Sequence, residues 1–175
     1  MSLSNNATLI NKILNDYQKG KKLESINQLD KIVKKFPKDS VARYNLALMQ
    51  SENGKIKEAI NNYKKVAKND HKNWRSRFNL YLIYIEQKEF TEALELIEEV
   101  LLIKNNYQPV LRDKALVLVN LKKPDKALPI IEKSLKQNSK DYIALNVLGI
   151  IYIELNQLNE AKEIFKEAIK INKNY

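Results

Sequence analysis

Lys57-Glu58-Ala59-Ile60, Thr91-Glu92-Ala93-Leu94, Asp125-Lys126-Ala127-Leu128 and Asn159-Glu160-Ala161-Lys162 align without a gap, their alanines 34 residues apart. One step of 34 earlier stands Ser25, also small. Four residues after each small residue comes a large one: Leu29, Tyr63, Ile97, Ile131 and Phe165. Three further on are Ile32, Val66, Val100, Ser134 and Ala168. Advances of four and then three return a side chain to one side of a helix, so each stretch reads as an amphipathic helix.

A second helical face lies upstream of each small residue. Leu46, Ala47 and Gln50 occupy it in one unit, and Leu80, Tyr81 and Tyr84 in the next. Leu111, Ala115 and Leu118 follow, then Leu145, Leu148, Gly149 and Tyr152. The chain therefore reads as all-α, a solenoid of five 34-residue helix-turn-helix units forming one domain over 6–175. The units span 6–39, 40–73, 74–107, 108–141 and 142–175, each with a helix A and a helix B, behind a disordered lead or cloning scar at 1–5. Such a unit cannot bury its apolar faces alone. Small residues such as Ala59 and Gly149 let its helices approach, and larger neighbours interlock with the next unit.

The punctuation agrees. Gly20 and Gly54 can supply positive φ after a helix. Pro109 and Pro124 stand where first-turn prolines belong. Glu24, Glu58, Glu92 and Glu160 lie near helix B starts, with Lys34, Lys68, Lys136 and Lys170 near the ends, as the helix dipole favours. Three places depart from the pattern. Tyr81 fills the slot where a small residue should face Ala93, so unit three should pack loosely or tilt. Pro129 lies inside a helix B and should kink it. In unit one, Ile10, Ile13, Leu14 and Tyr17 fit the inward face better if helix A slips by one residue.

This pattern resembles the tetratricopeptide repeat family over nearly the whole chain. The last unit carries the resemblance best, with Leu145, Leu148, Gly149, Tyr152, Ala161, Phe165 and Ala168 at the family's offsets. Ala47, Gly54, Ala59 and Tyr63 carry it in the second unit, Gly20 and Pro37 in the first. The resemblance implies a right-handed superhelix, helices A lining a concave groove and helices B forming the convex back.

Composition narrows the function. A 44% hydrophobic fraction supports a core. There is no Cys, which excludes disulfides, zinc–thiolate sites and Cys nucleophiles. No apolar run approaches the roughly 18 residues a membrane helix needs, and no signal peptide is evident at the N-terminus, so a cytoplasmic protein is expected. The net charge of +10 invites a nucleic-acid reading. Yet the cations are nearly all Lys, with Arg only at 43, 75, 77 and 112. Phosphate and base recognition lean on Arg forks, so solvated faces and AT-rich codons account better for the charge.

No chemistry stands out. His71 is the sole histidine, in a loop beside Asp70, with no third ligand evident. The three glycines are scattered, so there is no phosphate loop. Glu86, Glu89, Glu92, Glu95, Glu98 and Glu99 read as a solvated helix face. No catalytic, cofactor-binding or metal residue is assigned.

The family's carboxylate clamp can be tested slot by slot. Heat-shock co-chaperones use Lys and Asn on one helix A, Asn on the next, and Lys and Arg on the third. Here those slots hold Ile10, Leu14, Asn45, Arg75 and Asn79, of which only Asn45 and Arg75 suit. One unit later they hold Tyr44, Leu48, Asn79, Pro109 and Asp113. The clamp is not expected.

Apolar residues fill the expected groove instead. Leu48, Leu82, Leu116 and Ile150 form a ladder of period 34, flanked by Tyr44, Phe78, Ile85, Val119 and Ile153. Asn45, Asn79, Arg75, Arg112 and Asn146 add polar register. The expected function is a non-catalytic scaffold holding a peptide or amphipathic helix there; alternatively the superhelix curls and buries the ladder. Other readings are an N-terminal module of a glycosyl- or sulfotransferase-type enzyme, or RNA binding through Lys-rich helices B. Around Tyr152, Phe165 and Ile169 the last unit is expected to be open, so that two copies meet there or a longer protein continues.

Overall fold

The computed structural model describes residues 3–172. Met1 and Ser2, within the expected N-terminal lead, lie outside the described residues, as do 173–175 of the last unit. Ten α-helices follow one another among the described residues, without a strand. They are α1 (Leu3–Gln18), α2 (Lys22–Lys35), α3 (Ser40–Glu52), α4 (Ile56–Asn69) and α5 (Trp74–Glu86), then α6 (Phe90–Ile103), α7 (Gln108–Asn120), α8 (Pro124–Gln137), α9 (Tyr142–Glu154) and α10 (Leu158–Ile171). This is an all-α solenoid of helix-turn-helix repeats. None of the helices is long and apolar enough to cross a membrane.

The small residues of the 34-step do what their size allows. Ser25, Ala59, Ala93, Ala127 and Ala161 are all buried, at 0–3% exposure. At Gly149 the approach is closer still, since a Cβ there would meet the Phe165 ring at 2.5 Å. Each helix A ends in the same closure: Lys21, Lys55, Glu89, Lys123 and Gln157 donate backbone N–H to the carbonyl five residues back, at 2.8–3.1 Å. That bond needs a left-handed residue just before it. Gly20 (φ 93°) and Gly54 (φ 75°) supply it first, then Lys88, Lys122 and Asn156 at φ 58–61°.

Helix A starts also repeat. Asp39 Oδ1 caps the Ala42 N–H at 3.0 Å, Asn73 Oδ1 caps Ser76 at 3.0 Å, and Asp141 Oδ1 caps Ile143 and Ala144 at 3.0 and 3.2 Å. At the fourth such position Tyr107 makes no side-chain cap, and Pro109 in the first turn of α7 removes one N–H that would want it.

The chain divides into two compact units, residues 1–83 and 84–175, with the boundary inside α5. Unit 1 packs Ile10, Ile13, Leu29, Ala42, Leu46 and Met49 into one core. Leu14 and Tyr17 lie half-buried against it. Tyr81 is fully buried, edge-on to Phe78 with centroids 5.0 Å apart. Unit 2 packs Ala115, Leu118, Ala127, Ile131, Leu148 and Ile151. Here α8, where a kink was expected, continues through Pro129 as one helix. Pro129 is exposed, and the bond it forgoes belongs to the Asp125 carbonyl, one turn back at an exposed residue.

Charge is divided unevenly. Residues 1–83 hold 17 Lys and Arg against 7 Asp and Glu, whereas residues 84–175 hold 14 of each, so unit 1 carries all of the net +10.

Candidate partner-binding faces

In unit 1 the expected partner residues project from α3 and α5. Tyr44, Asn45, Leu48, Phe78, Asn79 and Leu82 are half-buried, and Arg75 is exposed. The two aromatic residues belong to an aromatic layer. Phe78 meets Trp74 edge-on at 6.0 Å as well as Tyr81, and Tyr44 tilts against Tyr63 at 5.9 Å. Arg75 lays its guanidinium over the Trp74 ring at 5.0 Å, a cation–π contact that keeps its charge at the surface.

Asn79 makes hydrogen bonds within the unit. Its amide Nδ2 donates to the hydroxyls of Tyr44 (3.1 Å) and Tyr63 (3.2 Å). Tyr63 is fully buried. Burial first, and the nearby Tyr44 second, push its phenol pKa well above the ordinary range, while the Asn79 hydrogen bond pulls it back. Asn79 therefore orients two tyrosines before any ligand arrives. Asn45 likewise spends an amide N–H on the Val41 carbonyl of its own helix, at 2.9 Å.

In unit 2, Ile85, Arg112, Leu116, Asn146 and Ile150 are half-buried and Ile153 is 48% exposed. Val119 is a correction: at 5% exposure it belongs to the unit 2 core, beside Leu118, and offers no surface. Arg112 is tethered rather than free. It lies 3.4 Å from Asp113 and 3.6 Å from Asp141, the capping residue of α9, which Gln108 also reaches. Helix α9 opens to solvent at Ile143 and Ile153.

The residues set aside as solvated are placed so: His71 is in an exposed loop, and Glu86, Glu89, Glu92, Glu95, Glu98 and Glu99 are exposed. Glu98 pairs with Lys114 at 2.6 Å. Among the described residues no three His, Cys, Asp or Glu side chains gather as a metal site would require.

Sequence reasoning passed over the buried arginines. Arg43 (8% exposed) and Arg77 (6%) stand 34 residues apart in one repeated slot, which Leu111 and Leu145 fill later. Arg77 donates to the carbonyls of Ala67 and Asp70 at the C-terminal end of α4, and to that of Asn73 at the start of α5, at 3.0–3.4 Å. Arg43 instead joins Asn62 (3.0 Å) and the Pro37 carbonyl (2.9 Å). The shared spacing was the available signal.

Comparison with known proteins follows the same lines. A family model described as the N-terminal TPR repeats region of Psidin matches residues 75–175. Another, described as subunit 3 of the anaphase-promoting complex or cyclosome, matches residues 24–100. No curated protein matches the chain. Among solved structures, a crystal structure of MamA is 20% identical, with TM-score 0.83 over 91% of this chain and 93% of that one. MamA from Desulfovibrio magneticus RS-1 is 15% identical, with TM-score 0.86 over 95% of each. A tetratricopeptide repeat protein from Parabacteroides merdae is 23% identical, with TM-score 0.87 over 96% of this chain and 67% of that one. At these identities the likeness speaks for the fold.

Proposed function

Because the chain belongs to the tetratricopeptide repeat family, we propose that it is a non-catalytic protein-interaction scaffold. It takes a peptide or an amphipathic helix on the apolar helix A faces of its units. One observation carries the reading. Leu48, Leu82, Leu116 and Ile150 recur at a step of 34 and are all half-buried, although the repeat cores beside them close fully. Solvent reaches apolar surface that repeat packing does not consume, and a docked helix would remove it from water.

In unit 1, Tyr44 and Phe78 are the anchors. Their rings are already packed and oriented by Asn79, Trp74 and Tyr81, so little side-chain freedom is lost on binding. A heat-shock carboxylate is not the ligand. The clamp slots of the first unit hold Ile10, which is buried, and Leu14.

Capture of partners from the native lysate by the wild-type chain is the test, set against Leu48→Ser/Leu82→Ser in unit 1 and Leu116→Ser/Ile150→Ser in unit 2. Loss of specific partners with an unchanged helical circular dichroism spectrum supports the reading. Full retention by both variants sinks it, and collapse of the helical signal means the ladder serves the fold instead.

A further inference from the structure

Unit 1 contains a second polar feature, independent of the helix A faces. A cleft of about 410 Å³ runs between α2 and α4. Asp30, Val33 and Lys34 form one wall, Glu58, Asn61 and Lys65 the other. Three side chains that are at least 91% buried, Arg43, Gln50 and Asn62, line it from beneath.

Their hydrogen bonds run in one direction. A guanidinium can only donate, so Asn62 turns its Oδ1 to Arg43 Nη1, at 3.0 Å. The Asn62 amide nitrogen then donates to Gln50 Oε1, at 2.9 Å. This ordering leaves the Gln50 NH2 at the end of the chain, on a side chain that lines the cleft. Arg43 Nε also lacks a partner. The remaining Arg43 bond, Nη2 to the Pro37 carbonyl, is again to a neutral oxygen.

A buried cation ordinarily has a counter-charge or several strong acceptors. Arg77 has three carbonyls, two of them, Ala67 and Asp70, at the C-terminal end of α4, where the dipole is negative. Arg43 has one carbonyl and one amide oxygen. The surroundings add to the excess positive charge, for α2 and α4 together carry eight Lys against three carboxylates. One of those carboxylates, Asp30, is held by Lys34 at 2.7 Å.

We propose that this cleft is a docking site for an acidic, extended protein segment, one of whose carboxylate side chains enters it toward Gln50 and Arg43, between Lys34 and Lys65. Charge complementarity selects the sign of the partner, and the shape of the site selects its kind. A bilayer presents a plane and cannot reach a recessed donor. It would also want exposed apolar side chains, and Leu23 is the one exposed large apolar residue on α2 or α4. A single-stranded nucleic acid wants aromatic platforms for its bases, and these two outer faces have none, since Tyr63 is buried. Asp30 and Glu58 would interrupt a continuous track of phosphates. They leave room for separately placed carboxylates.

Fluorescence anisotropy with a labelled deca-glutamate peptide tests this on the full chain. Binding should weaken with added salt. It should fall about tenfold in Lys34→Glu/Lys65→Glu, in keeping with a desolvated charge contact. Lys133→Glu/Lys136→Glu, the same charge change on exposed α8 positions of unit 2, should leave it intact. Leu48→Ser/Leu82→Ser should also leave it intact, which separates this site from the helix A faces. The side-chain amide NMR signals of Gln50 and Asn62 should shift during the titration. Equal losses in the two charge-reversal variants would reduce the effect to net charge and overturn the proposal. Unmoved amide signals would do the same. Displacement of the peptide by oligouridylate or by phosphatidylserine vesicles at lower concentration would assign the surface to RNA or membrane instead.

Discussion

The two units make the same helix-to-helix turn with different residues. Unit 1 uses Gly20 and Gly54, and unit 2 uses Lys88, Lys122 and Asn156, all at positive φ and all followed by the same i to i−5 backbone hydrogen bond. The left-handed conformation costs a residue with a Cβ about 1–2 kcal/mol. Unit 2 tolerates that cost three times, so the turn is imposed by helix packing and closure and not by the turn residue. Glycine relieves the strain but is not what creates the geometry. The units differ in a second way: one holds the whole net charge while the other is balanced.

The largest effect should come from the cores. Leu29 and Ile131 are each fully buried, one per unit. Leu29→Ala and Ile131→Ala should each cost about 2–5 kcal/mol in urea unfolding, through lost transfer energy and the cavity left behind. Native-state hydrogen exchange should place the greater loss of protection in the unit carrying the substitution. Equal loss in both units from either variant would break the division between them.

Turn substitutions should be smaller and opposite in sign. At Gly54 an added Cβ would meet nothing within 4 Å, so Gly54→Ala tests backbone strain alone and should cost about 1–2 kcal/mol. Lys122→Gly should stabilise unit 2 by up to about 1 kcal/mol, once the unfolded-state entropy of glycine is set against the strain relieved. Urea midpoints check both. No change in either would mean the turns are not strained.

The mildest effect is confined to high pH. In the folded chain the Tyr63 phenol titrates above its ordinary value of 10.0, because burial disfavours the phenolate. Between the unfolded and folded values the unfolded chain releases a proton that the native chain keeps, so stability is whole below pH 10 and declines above it. Tyr63→Phe removes that linkage. Its stability, relative to wild type, should improve between pH 8 and pH 11, even if it is lower at pH 8 for want of the Asn79 hydrogen bond. Parallel pH profiles would show that Tyr63 does not report on this part of unit 1.

Much of the fold was legible because a repeat states its own rule several times. Ala59, Ala93, Ala127 and Ala161 could be recognised as contact points from spacing alone, and Gly20 and Gly54 as left-handed turns. The lysines at 88 and 122 were not legible as turn residues, since nothing in a lysine signals positive φ; only their register with Gly54 does. Pro129 lies inside α8 without ending it. A proline breaks a helix when its missing bond cannot be replaced, and on the exposed side of α8 water can serve.

For the candidate faces, periodicity put Leu48, Leu82, Leu116 and Ile150 on one side of their helices, and they are half-buried. It misplaced Val119, three residues beyond Leu116, which turns into the core. Asn79, expected to add polar register, holds Tyr44 and Tyr63 through its amide N–H.

The sequence by itself determined the step of 34, the pairing of helices and the residues that permit close approach, because each depends on spacing along one chain. Only the tertiary structure decided that Arg43, Gln50 and Asn62 meet beneath one cleft, and that Asn79 spans two tyrosine hydroxyls. Helical period specifies which residues share a face. What a neighbouring helix places opposite that face depends on how the two pack, and hydrogen-bond partners and counter-charges are settled there.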